Sequence, residues 1–362
     1  MPTPANTPAT TTGGREIQNP QLFDTLTERQ AMPQTVAAFA GFAKGQRLII
    51  EKVGVLARIR LLVKVTFTPK EEEKAEVRPG FPWKLIKEIA LQANGVTGII
   101  DCNALVLEQR RRRVYRNPVS AILKTPKQAT KLKKEAITTE FVVEIPVAHD
   151  MLSLIGALLA QNEETTLSVL INWASEAEVF GGADGVEKVE GEVLWGTTVF
   201  SIGSTVVGKQ EVTVLPDLSA FHGIVQSETQ LNATGQRNAE LIRTAGQLLC
   251  YTATVFNKAN GAAVLSPAEW TSFKIEYGGN KDPLNWTPAA QLLEENADDY
   301  DGALNVEGVS FLAVDNERDN PSRDMIIPES LTELRAVLGI PAGFKPEEAQ
   351  ILTSQETLYP AV

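Results

Sequence analysis

Apolar and polar residues alternate with a period of two along much of this chain, which is the pattern of β-strands with one face buried. The clearest run lies in Arg47–Thr68, where Ile59, Leu61, Val63, Val65 and Phe67 define one face and Arg60, Lys64 and Thr66 the other. A second lies in Phe81–Leu107, FPWKLIKEIALQANGVTGIIDCNALVL, which reads as a β-hairpin around Asn94-Gly95. Before that turn Leu85, Ile89, Leu91 and Ala93 point to a core, with Lys84, Glu88 and Gln92 between them. Asn-Gly is favoured there because both central residues of a two-residue turn must reach positive φ.

The alternation predicts further strands at Thr138–Val147, Thr165–Ala174, Val193–Val207, Glu211–Leu215 and Gln247–Asn257. Trp270–Tyr277, Val306–Asp315 and Leu331–Leu338 complete the set. Helical signals are few. Asn19–Phe42 suits two short turns split at Met32-Pro33, and Pro288–Tyr300 suits a short helix with Pro in its first turn. His149–Gln161 reads as a short apolar helix or a tight apolar connection. Many strands with turn signals between them predict an all-β chain of antiparallel sandwiches, and 362 residues accommodate two. The natural boundary lies near Gly203–Lys209.

Composition narrows the class. Hydrophobic residues at 43% and charged residues at 22% are those of a folded, soluble chain. No apolar run is long enough to span a bilayer, and the opening MPTPANTPATTTGG has no secretion-signal features and reads as a flexible arm. Cys102 and Cys250 sit in apolar strand contexts and are expected as buried free thiols.

The net charge of −11 hides an asymmetry. Residues 109–134 hold ten basic side chains and no acid, among them Arg110, Arg111, Arg112, Arg113, Arg116, Lys131, Lys133 and Lys134. Residues 182–362 carry 11 basic against 26 acidic side chains. A basic patch facing acidic surfaces favours self-association, so these eight residues are expected in an inter-subunit, membrane-facing or genome-facing patch on a solvated loop. Tyr115 is the one aromatic residue in the segment, which does not support sequence-specific nucleic-acid recognition.

Catalytic chemistry is not indicated. His149 and His222 stand 73 residues apart outside any H-x-H or H-E-x-x-H context, so no metal site is expected and His149 reads as a structural hydrogen-bonding residue. Asp315, Glu317, Asp319 and Asp324 resemble a Ca²⁺ loop, but Ile326 stands where the closing Glu belongs, and a solvated loop is the better reading. Ser153 and Ser201 lack the nucleophile-elbow pattern, and Gly278-Gly279 lacks the Lys-Ser/Thr of a phosphate-binding loop. No catalytic residue and no cofactor is expected.

Four strings carry a resemblance: the FPWKLIKEIALQANG strand and turn, FVVEIPVAHDMLSLIGALLAQNEETTLSVLINW, PAAQLLEENADDYDGALNVEGVSFLAVDN, and RDMIIPESLTELRAVLGI after it. Over roughly residues 45–340 their order resembles the double jelly-roll major capsid proteins of tailless, membrane-containing icosahedral viruses of the tectivirus type. The resemblance implies two fused eight-stranded jelly-rolls with a few short helices and flexible terminal arms. The expected limits are a partly helical N-terminal arm at 1–44, a first jelly-roll at 45–205, a second at 206–342 and a C-terminal arm at 343–362. It further implies a non-enzymatic homotrimer of pseudo-hexagonal outline in a bacteriophage capsid, made in the host cytoplasm. Vertex and minor capsid proteins and an internal membrane are the implied partners. A carbohydrate-binding sandwich of a virion spike or tail and a cupin-type enzyme are the alternatives. The first needs an exposed aromatic platform, whereas Trp83, Trp173, Trp195, Trp270 and Trp286 fall mostly in apolar strands.

Overall fold

The computed structural model describes residues 15–32, 35–41, 45–71, 75–78, 80–115, 122–124 and 132–182 of the first half. In the second half it describes 185–231, 233–241, 246–257, 269–277, 281–286, 290–299, 310–313, 334–345 and 349–360.

The Val55–Pro69 strand shows why the chain folds as it does. Ile59, Leu61, Val63 and Val65 are wholly buried and Phe67 nearly so, while Arg60 and Lys64 face solvent. A strand with one apolar face must be covered, and this one is the middle of a seven-stranded sheet. Val186–Phe200 pairs along one side of it and Ile137–Pro146 along the other, both antiparallel. The hairpin of Ile86–Ala93 and Val96–Cys102 belongs to the sheet that faces it. Asn94 and Gly95 take φ of 53° and 71°, as a two-residue hairpin turn requires.

That second sheet joins the two halves of the molecule. Gly45–Ile49, Leu167–Trp173, Ile86–Ala93 and Val96–Cys102 come from the first half. Ala220–Gln230, Ala349–Pro360, Gln247–Asn257 and Ser310–Ala313 continue the sheet from the second. The seam is a short parallel pairing of Ile224 with Ile100 and Val225 with Asp101. A four-stranded sheet of Gly235–Glu240, Arg335–Ile340, Ser272–Tyr277 and Lys281–Trp286 covers the second half. Each half has its own core: Leu61, Phe67, Ile89, Leu91, Phe141 and Val169 in the first, Leu248, Tyr251, Trp270, Phe273 and Leu338 in the second. The all-β double jelly-roll expected from sequence is therefore present.

Several local expectations are corrected. Arg47–Thr68 is two strands in different sheets, because Gly54 turns the chain with φ of 55° where a Cβ would strike the Phe200 carbonyl oxygen. The Phe81–Leu107 hairpin stops at Cys102. The Asn103 side chain then accepts a hydrogen bond from the Val106 N–H at 2.9 Å and caps a helix over Ala104–Tyr115. Lys84 is buried rather than on a solvent face, since Trp83–Leu85 forms a 3₁₀ turn ahead of the strand.

The terminal arms also change character. Ala349–Pro360, expected inside a free C-terminal arm, pairs with Ala220–Gln230 on one side and Gln247–Asn257 on the other. Its apolar and hydroxyl side chains are mostly buried, so it is structural core. Within the expected N-terminal arm, Arg15–Gln18 pairs in parallel with Gln210–Leu215, and Pro20–Leu26 is a helix capped by Asn19. Arg29–Ala31 and Thr35–Ala40 lie along Val186–Phe200, and residues 1–14 fall outside the described set. The boundary expected at 205/206 falls inside a hairpin of Gly203–Val207 and Gln210–Leu215. Asp315, Glu317, Asp319 and Asp324 lie outside the described residues. Cys102 and Cys250 are free and buried, as expected.

Because Ala349–Pro360 fills an interior place in the shared sheet, a chain ending at Lys345 should not fold cooperatively. Circular dichroism melting and limited proteolysis test this, and an intact cooperative transition near the full-length melting temperature would refute it.

Candidate functional site: a buried charge cluster at the joint of the barrels

The Ala104–Tyr115 helix packs against Ile137–Pro146 and the Trp83–Leu85 turn. Its four consecutive arginines cannot share one environment, since successive helical residues point about 100° apart. Arg110 and Arg113, three apart, share a face that meets the second half of the molecule. Arg110 Nε lies 2.6 Å from Glu356 Oε1, and Arg113 Nη2 lies 2.5 Å from Glu356 Oε2. Arg111 and Arg112 instead reach back one turn to Glu108, at 2.7 and 2.8 Å. Arg112 also lies over the Trp83 ring, 5.4 Å from its centroid.

Glu356 stands on the Ala349–Pro360 strand and is buried. A third donor group, His222 on Ala220–Gln230, lies with Nε2 2.9 Å from Glu356 Oε1 and Nδ1 2.8 Å from the Pro146 carbonyl oxygen. The Arg110 Nη2 donates to the His149 carbonyl oxygen at 2.8 Å and lies 3.4 Å from His149 Nδ1. The cluster thus ties the helix and the turn after Pro146, both of the first barrel, to two strands of the second. Burial alone would push the Glu356 carboxyl up, but Arg110, Arg113 and the histidine contacts hold it well below the usual carboxylate range. Burial pushes His222 down to about 4, against the hydrogen bond to Glu356, and Arg110 adds to the lowering.

A second carboxylate anchors the far end of the same helix. Tyr115 donates to Glu144 Oε1 at 2.6 Å, and Arg60 and Arg58 approach Glu144 Oε2 at 3.0 and 3.4 Å. Burial and the Glu144 charge raise the Tyr115 phenol above its ordinary value. A cavity of about 680 Å³ opens beside Glu144, Tyr115 and Arg110, walled by Ala57, Val114, Ala148, Met151, Ile155 and Leu358 among others.

These positions correct the expectation of a basic surface patch. The eight basic residues do not form one surface patch: Arg110 and Arg113 are 6% and 1% exposed, and Arg111 and Arg112 are half-buried on Glu108. Lys133 and Lys134 are exposed, while Arg116 and Lys131 lie outside the described residues. The two histidines, far apart in sequence, come together with ring centroids 5.5 Å apart. With Glu356 they place three possible ligand atoms within 4.8 Å. The Arg110 guanidinium sits on the oxygen that would face a metal, and Arg113 holds the other. A dication there would meet two fixed positive charges, so the donor set suits guanidinium rather than a metal ion.

Part of this was readable in advance. Glu108 stands three and four residues before Arg111 and Arg112, the spacing of helical ion pairs, and Arg110 and Arg113 share an i, i+3 face. Nothing local points from Arg110 to Glu356, which lies 246 residues away.

Removing Glu356 takes away the buried carboxylate that Arg110 and Arg113 share, so Glu356→Ala should destabilise the fold by about 3–5 kcal/mol. Lys133→Ala and Lys134→Ala, on exposed side chains, should change it by less than about 0.5 kcal/mol. Denaturant melts of the three variants check both statements, and equal effects at all three sites would overturn the reading of the cluster.

No family model matches the chain, and no curated protein matches it in sequence. Solved structures match it in fold. The crystal structure of the major capsid protein (MCP) of STIV aligns with a TM-score of 0.66 at 10% identity, covering 92% of this chain and 97% of that one. The atomic structure of Sulfolobus turreted icosahedral virus gives 0.65 at 10% identity, covering 93% and 91%. The capsid of the virus PBCV-1 gives 0.58 at 11% identity, covering 96% of both chains. At these identities the shared property is architecture, and the chain has the double jelly-roll fold seen along the full length of these capsid proteins.

Proposed function

We propose that this protein is a major capsid protein, a non-enzymatic subunit that assembles as homotrimers to tile an icosahedral virion shell. The observation that carries this reading is the pair of jelly-rolls fused side by side through one continuous sheet, spanning the length of the capsid proteins it resembles. A rigid two-barrel subunit repeated about a threefold axis presents six barrels, and the resulting near-hexagonal outline tiles a shell. The buried Arg–Glu cluster supports rigidity, since it fixes one barrel against the other.

Assembly needs exposed surfaces that can be covered. Leu152, in the connection after the Ile137–Pro146 strand, is 85% exposed, and Val206 and Val207 on the Gly203–Val207 strand are 69% and 55% exposed. These are proposed as contacts between subunits, with residues 1–14 as the remaining candidate arm. Among the described residues of the basic set Lys133 and Lys134 are exposed, and they are proposed to meet a phosphate-rich surface, including an internal membrane. Vertex and minor capsid proteins are further proposed partners. The carbohydrate-binding alternative loses support because Trp83, Trp173 and Trp270 are 4%, 4% and 2% exposed and cannot form a platform.

Light scattering of the purified full-length chain should show one trimeric species, and negative-stain images should show hexagonal particles. A monomer at all concentrations would overturn the proposal. Leu152→Asp and Val207→Asp should leave the melting temperature within a degree or two while shifting trimers towards monomers, because both side chains are solvent-exposed in the isolated chain.

A further inference from the structure

The cavity beside Glu144, Tyr115 and Arg110 takes its wall from both jelly-rolls. Ala57 and Arg58 belong to the Val55–Pro69 strand, Val114 and Tyr115 to the helix, and Met151 and Ile155 to the connection after Pro146. Gln247 and Leu358 come from two strands of the second half. Its volume of about 680 Å³ is that of a small-molecule site, and such sites favour joints between domains. Leu152, Tyr115 and Gln247 of the wall are exposed, which leaves the cavity open to solutes.

The polar groups of the wall are unequally satisfied. Among the described residues there, each carboxylate oxygen already accepts. Glu144 Oε1 is met by Tyr115 and Oε2 by Arg60 and Arg58. Asp150 Oδ1 takes the Leu152 N–H and Oδ2 the Ser153 N–H. The donors are not used up. Arg58 is 6% exposed and its Nη1 serves Glu144 and Tyr115, yet its Nε has no acceptor. Burying a donor without an acceptor costs free energy that an acceptor placed beside it recovers. Two guanidiniums, Arg58 and Arg60, meet the one carboxylate of Glu144, while Asp150 is held in its own turn. The spare capacity is therefore for an acceptor, and an anion suits it better than a cation.

We propose that the cavity binds a long-chain carboxylate, with the head at Arg58 and the aliphatic chain along Val114, Met151 and Ile155. A carboxylate only accepts, and a guanidinium can meet it with two parallel N–H groups. The chain gives up water for the aliphatic part of the wall, so each added methylene tightens binding. Because the wall spans both jelly-rolls, the occupant also braces the joint, and binding requires no assembly of subunits.

Titration calorimetry of the full-length chain with laurate, myristate and dodecylamine, each below its micelle concentration, tests this. Laurate should bind once per chain, myristate about tenfold more tightly, and dodecylamine about tenfold or more weaker than laurate. At about a hundredfold excess over its Kd, laurate should raise the melting temperature by about 3–5 °C. The chain has four methionines, and in carbon-13 methyl-methionine spectra the Met151 signal should shift saturably with laurate. Arg58→Lys keeps the charge but loses the fork, and should weaken laurate about tenfold while leaving the gain per methylene unchanged. No saturable binding, equal affinities for laurate and dodecylamine, an unmoved Met151 signal or unaltered laurate affinity in Arg58→Lys would each overturn the site. Should Arg58→Lys fail to fold, the head-group comparison and the Met151 spectrum of the wild type decide the matter by themselves.

Discussion

A carboxylate cannot remain charged in a dry protein interior unless its charge is met there, and Glu356 is the point at which this requirement organises the molecule. Its two oxygens are met by Arg110, Arg113 and His222, which come from a helix of the first barrel and a strand of the second. The arrangement exists only if the C-terminal strand is in the shared sheet and the helix begins directly after the hairpin. Each of those features has its own local cause, but the cluster requires all of them at once. It gains little as raw stability relative to an apolar contact. What it supplies is a unique relation between the barrels, because any slip of the sheet would leave buried charges unpaired.

The shared sheet and the cluster act together. The seam between the halves is a two-residue parallel pairing, too short to fix an angle alone. Glu356, paired in register with Ile224 on the neighbouring strand, takes the Arg110 and Arg113 side chains from the helix, which adds a second attachment. In the proposed shell role the subunit has to present its loops at fixed positions to neighbouring copies, and two attachments constrain orientation where one would act as a hinge. The Glu144 group does similar work at the Tyr115 end of the helix, so that the helix is held at both ends.

Much of the fold was legible because strands report themselves locally. The Ile59 to Phe67 alternation, the Asn94-Gly95 turn and the Gln247–Asn257 strand all needed only neighbours in sequence, and the structure places each of them as expected. The helix after Cys102 was missed since ALVLEQ continues an apolar run that a strand could also use, and the cap at Asn103 was the available signal. The arm expected at 343–362 follows from the capsid resemblance, which implies terminal arms, and not from any local pattern. In the sheet the polar side chains of that segment are paired, as Ser354 is with Thr252 and Thr353 with Ser227.

The sequence by itself determined the period of the strands, the sharp turn, the number of barrels the chain could fill and the helical spacing of its arginines. These depend on backbone sterics and on neighbours within a few residues. Only the tertiary structure decided that a run of like charges would be split between a core and a surface, and that two distant histidines would meet. The energy of a buried ion pair depends on burial and on partners hundreds of residues away, and a linear string carries neither. The basic segment therefore looked like a surface for other molecules, and two of its arginines proved to hold this one together.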